Sequence, residues 1–77
     1  MEIVSTITIY GNDDINKFQN YLDMDNYLNV RCRCEVNDKA GYVNYFFTSH
    51  SQEEYDLVYE KLRKLVRLIN YELWRWW

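Results

Sequence analysis

The sequence predicts an α+β domain, one layer of sheet covered by one layer of helix in the order β-α-β-β-α, and three observations predict it. Glu2–Tyr10 alternates with period two, Ile3, Ser5, Ile7 and Ile9 on one side and Val4, Thr6, Thr8 and Tyr10 on the other, as a half-buried strand does. Two further strand-like runs flank Asn37-Asp38-Lys39-Ala40-Gly41, a connection of hairpin length and composition. After Ser51, the residues Tyr55, Val58, Leu62, Leu65, Val66, Ile69, Leu73 and Trp76 hold a single helical stripe.

Each element has its own local warrant. Past the first strand, Gly11-Asn12-Asp13-Asp14 supplies a turn and a set of N-cap residues, and Ile15, Phe18, Tyr21 and Leu22 then recur at helical spacing to about Asp23. Met24–Asn29 is a polar break. In the second strand Val30, Cys32, Cys34 and Val36 alternate against Arg31, Arg33 and Glu35, which puts both thiols on one face as small core hydrophobes. The third strand, Tyr42–Thr48, is rich in aromatic residues and valine. Ser51 followed three residues later by Glu54 has the form of a capping box for the last helix.

Seventy-seven residues make one domain, 1–77, with no repeat, linker or low-complexity stretch. At this length folding buries only about 60–65% of the unfolded chain's surface, so association with another molecule helps. The right-handed crossover rule places the strands in spatial order 1-3-2 with both helices on one face, a ferredoxin-like arrangement lacking its last strand, and sets strand 1 parallel to strand 3. A helix from Ser51 to Trp77 is roughly 40 Å long, against about 23 Å for a strand of seven residues. Either the rod overhangs the sheet or the chain kinks and the tryptophans fold back. Since aromatic side chains bury about 150–250 Å² each, Trp74, Trp76 and Trp77 need cover from this chain, a second copy or a partner.

Composition excludes several classes. Two cysteines at Cys32-x-Cys34 make no secreted disulfide framework, and Met1 precedes neither a basic start nor an apolar run, which implies a reduced, cytoplasmic protein. No segment is long and apolar enough to span a membrane. His50 is the single histidine, so no nucleophile finds a base and no metal site assembles around the thiols. No catalytic residue, metal ligand or cofactor is therefore expected. The net charge of −3 conceals a sorting of signs along the last helix. Glu53, Glu54, Asp56 and Glu60 precede Lys61, Arg63, Lys64, Arg67 and Arg75, the order a helix dipole favours.

Two surfaces are left over. One is the C-terminal segment, where Arg67, Tyr71, Trp74, Arg75, Trp76 and Trp77 combine the residue types that dominate protein interfaces. This suggests a partner site and a homodimer through the overhanging helix. Tryptophan and basic residues at a terminus also suit a membrane surface, but acidic residues earlier in that helix count against it. The other is the sheet face away from the helices, with Tyr10, Arg31, Arg33, Tyr42 and Phe46. Bases of a single strand stack on such aromatics while basic groups meet phosphates.

Ile7-Thr8-Ile9-Tyr10-Gly11-Asn12 and Lys39-Ala40-Gly41-Tyr42-Val43-Asn44-Tyr45-Phe46 resemble the first- and third-strand motifs of RNA recognition motifs. That resemblance implies nucleic-acid binding on the sheet face. It departs from the family in the register of the third-strand motif, the missing fourth strand and the acidic balance. In size, lack of proline, acidic balance, abundant Asn and Tyr and absence of an active-site signature, the chain resembles the small inhibitors that phages make against host defence, anti-CRISPR proteins among them. What that resemblance implies is a non-enzymatic body that blocks a host protein sterically through an aromatic and arginine surface, in the host cytoplasm.

Overall fold

In the computed structural model, which describes residues 1–69, the chain folds as β1 (Ile3–Tyr10), α1 (Asn12–Met24), α2 (Asn26–Asn29), β2 (Cys32–Asn37), β3 (Tyr42–Ser49) and α3 (Gln52–Leu68). The strands form one sheet in the order β1-β3-β2. This is the β-α-β-β-α arrangement expected, an α+β fold, with α2 as an added single turn.

Both strand pairs are antiparallel, with Ile7 opposite Tyr45 and Cys34 also opposite Tyr45. The expectation that β1 runs parallel to β3 is corrected. The crossover through α1 joins β1 to β2, and these two are the parallel pair; they are not neighbours. The β2–β3 hairpin inserts β3 between them, so β3 opposes both. The hairpin closes with Gly41 N–H donating to Asn37 O at 2.9 Å and Ala40 N–H to the Asn37 side chain at 2.9 Å. Gly41 has φ 72°, a conformation that suits glycine.

All helical cover falls on one face. Ile7 and Ile9 of β1, Val43, Tyr45 and Phe47 of β3, Phe18 and Leu22 of α1, Leu28 of α2 and Val58, Leu62, Leu65, Val66 and Ile69 around α3 form one buried cluster. Fully burying each large apolar side chain is worth about 1.5–3 kcal/mol. Tyr45 is 1% exposed, packs its ring 4.6 Å from that of Phe18 and donates its hydroxyl proton to Gln19 at 3.2 Å. Burial, with Cys34, Cys32 and Asp23 adding to it, pushes that phenol up to about 12.

The helix ends differ from the sequence reading in instructive ways. Gly11 at φ 85° is the N-cap of α1, without a side-chain cap; the expected capping residues Asn12 to Asp14 lie inside the helix instead. Asp25 turns the expected polar break into α2 by accepting the Leu28 N–H at 3.1 Å, and Leu28 is fully buried. Ser51 caps α3 as expected, accepting the Glu54 N–H at 3.2 Å. Glu54 bonds the His50 N–H at 2.8 Å, one residue before the usual capping-box position. That hydrogen bond, helped by Arg31, holds the Glu54 carboxyl below its ordinary range against the opposing effect of desolvation.

The helix expected to run unbroken from Ser51 is capped at Ile69, which is buried and bonds the Val66 carbonyl at 3.2 Å. Its 17 residues span about 25 Å, close to the roughly 26 Å of the eight-residue β3. The continuation through Tyr71, Trp74, Arg75, Trp76 and Trp77 lies outside the described residues. No helix among the described residues is long and apolar enough to cross a membrane.

Candidate functional site: the open sheet face

With the helices on one side, alternation leaves the even-numbered residues of β1 and β3 on the other. Val4 lies opposite Thr48, Thr6 opposite Phe46, Thr8 opposite Asn44 and Tyr10 opposite Tyr42. On the far side of β3, Arg33 faces Phe46, Glu35 faces Asn44 and Asn37 faces Tyr42. The parity expected from sequence holds for β1, for β3 and for Arg33.

The face is locally ordered. The Tyr10 and Tyr42 rings meet at 5.5 Å between centroids with a 56° tilt, a favoured arrangement for an aromatic pair. Asn37 donates its side-chain amide to the Tyr42 hydroxyl at 3.2 Å, and Thr8 donates to the Asn44 side chain. The Arg33 guanidinium carbon lies 5.5 Å from the Phe46 ring centroid, within cation–π range. Tyr10 remains 59% exposed and Val4 47%, while Tyr42 and Phe46 are half-buried. Among the described residues the face offers aromatic side chains and one guanidinium on a hydrogen-bonded strand platform.

Arg31, expected on the same face, belongs elsewhere. It stands just before β2, and its guanidinium reaches round the end of the sheet: Nη1 donates to the Tyr27 carbonyl at 3.0 Å, the guanidinium carbon lies 3.7 Å from the Tyr27 ring centroid and Nη2 is 3.7 Å from Glu54. Lys61 completes this cluster from α3, 5.6 Å from the Tyr27 ring centroid and 3.5 Å from Asp25. The cluster escapes a reading of the sequence in which Met24–Asn29 is only a polar break. Asp25 followed three residues later by an apolar Leu28 is the signal for it. With Arg31 engaged and Glu35 next to Arg33 on the strand, the open face carries little net positive charge.

The thiols need a correction as well. Cys32, Cys34 and Val36 do face the helix side, opposite Phe47, Tyr45 and Val43. Yet β2 is an edge strand, and the helices lie over β1 and β3. Cys32 is half-buried against the core, whereas Cys34 is exposed and Val36 is 63% exposed. Burial, and secondarily Cys34, pushes the Cys32 thiol up to about 11, which leaves it protonated at neutral pH. Among the described residues no group of three or more His, Cys, Asp or Glu is placed to hold a metal ion.

Of the C-terminal candidates, Arg67 is exposed in the last turn of α3; Tyr71, Trp74, Arg75, Trp76 and Trp77 lie outside the described residues. No family model, curated protein or solved structure matches this chain.

Proposed function

We propose that this protein is a small, non-enzymatic protein-binding module, an inhibitor of the kind phages and mobile elements direct against host proteins, as anti-CRISPR proteins do. It acts sterically, in the host cytoplasm, by laying its open sheet face on a functional surface of its target.

The observation that carries this reading is a sheet face without helical cover among the described residues, on which Tyr10, Tyr42, Phe46 and Arg33 are brought together. Tyrosine and arginine are among the residue types that concentrate binding energy at protein interfaces. Strand-borne side chains are also held in place before binding, which lowers the ordering cost of association. Arg67 and, by residue type, Tyr71, Trp74, Arg75, Trp76 and Trp77 belong to the same proposal as a second contact region.

A second reading, single-stranded nucleic acid stacked on the same aromatics, is favoured by the grouping of Tyr10, Tyr42 and Phe46. Against it stand the single guanidinium on the face among the described residues and the net charge of −3, because phosphate contacts supply much of nucleic-acid affinity.

The test is expression in a bacterial strain whose CRISPR immunity blocks a phage. Restored plaque formation with the wild-type protein, lost with the Tyr10→Ala, Tyr42→Ala double substitution, is the expected result. Unchanged immunity across strains with different CRISPR systems contradicts the inhibitor reading. Salt-sensitive binding of a single-stranded oligonucleotide that fails in the same double variant supports the nucleic-acid reading instead.

A further inference from the structure

Strand β2 forms one edge of the sheet, and its two rows of side chains have opposite character. On the helix side, Cys32, Cys34 and Val36 form an apolar row that runs out beyond the helices, leaving Cys34 and Val36 exposed. On the open side stand Arg33 and Glu35, two apart and of opposite sign, each exposed.

Hydrogen-bond parity fixes which peptide groups are turned outward. The Thr48 N–H donates to the Arg31 carbonyl at 3.2 Å, and antiparallel ladders alternate bonded and non-bonded pairs. Arg33, Glu35 and Asn37 therefore bond to β3. The peptide groups of Cys32, Cys34 and Val36 face away from it, toward no other strand among the described residues.

We infer that β2 pairs antiparallel with β2 of a second copy of this chain about a twofold axis at Cys34, joining two three-stranded sheets into one of six strands. The sequence on this strand is self-complementary about that centre. Arg33 meets Glu35 of the second copy, and Glu35 meets Arg33, so both ion pairs form at once on the open side. On the helix side Cys34 meets Cys34, and Cys32 meets Val36, which gives the exposed apolar row the cover that the helices among the described residues do not supply. Opposite charges directly across a strand pair stabilise it, and like charges destabilise it. A one-residue slip would turn the apolar row to the wrong face.

The other edge makes a poorer seam. The helix-side row of β1, Ser5, Ile7 and Ile9, is already buried by this chain's own helices, and Ile3–Tyr10 carries no charged side chain to select a register.

Sedimentation equilibrium of the full chain at high micromolar concentration tests this, together with cross-linking by a short bis-maleimide, which joins two thiols. The wild type is expected to show a reversible dimer whose cross-link disappears in Cys34→Ser. Glu35→Arg, which sets a second guanidinium against Arg33 across the axis, is expected to raise the dissociation constant by about tenfold or more. The charge swap Arg33→Glu with Glu35→Arg restores the ion pairs in reverse and is expected to recover the dimer. Far-UV circular dichroism establishes that each variant is folded, and the swapped protein carries the test where a single variant is not. A monomeric wild type, a Glu35→Arg protein that dimerises as the wild type does, or a swapped protein that folds yet stays monomeric overturns the inference.

Discussion

At the residue scale, position relative to the helices decides what each side chain does more than its identity. Cys32 and Cys34 are chemically equal and share a face. Cys32 packs on the core with its thiol pushed up to about 11, while Cys34 stands exposed. Because thiolates rather than thiols react, a disulfide reagent at pH 8 and low protein concentration is expected to modify one thiol of the folded protein quickly and the other slowly. Cys34→Ser should remove the fast phase and Cys32→Ser the slow one. Equal rates for both thiols would show that Cys32 lacks its cover. Arg31 and Arg33 divide in the same manner, the first held by Tyr27 and Glu54 and the second left on the open face beside Phe46.

At the element scale, the strands and the two long helices were legible because alternation and helical periodicity are strong local signals. Ile7 and Ile9, Phe18 and Leu22, and Val58, Leu62, Leu65 and Val66 all fall where their spacing places them. The short α2 was not legible, since a four-residue turn is too brief for periodicity and shows only in the Asp25 cap and the burial of Leu28. Strand direction was misjudged because the crossover rule constrains β1 with β2, not β1 with β3. Exposure of β2 was missed because alternation reports the face of a strand and says nothing of whether that face has cover. The open sheet face was legible in parity, but the diversion of Arg31 depended on α2. Leu28→Ala is expected to cost about 2–5 kcal/mol, read from urea unfolding, because Leu28 is the buried side chain that α2 contributes to the core. A loss under about 0.5 kcal/mol, the scale of an ordinary surface substitution, would mean that α2 is not part of the cooperative fold.

At the scale of the whole molecule, the described residues cover a three-stranded sheet on one side and leave its other face bare. A chain of this size gains stability by covering what is bare, and the aromatic and arginine composition of the bare face suits a protein partner better than a polyanion. Pairing through β2 would keep that face continuous across two copies, engaging Arg33 at the seam and leaving Tyr10, Tyr42 and Phe46 uncovered. The two proposals are therefore compatible, and they fail separately: Glu35→Arg addresses the seam, while Tyr42→Ala addresses the face.

The most direct measurement is affinity purification of the tagged protein from the cells in which it is expressed, with the wild type compared against the Tyr10→Ala, Tyr42→Ala variant after both are shown to be folded. The account predicts one protein partner at stoichiometric yield with the wild type, retained after nuclease treatment and absent with the variant. Equal recovery of that partner by the variant, or recovery of nucleic acid alone, would contradict the open sheet face as a protein-docking surface.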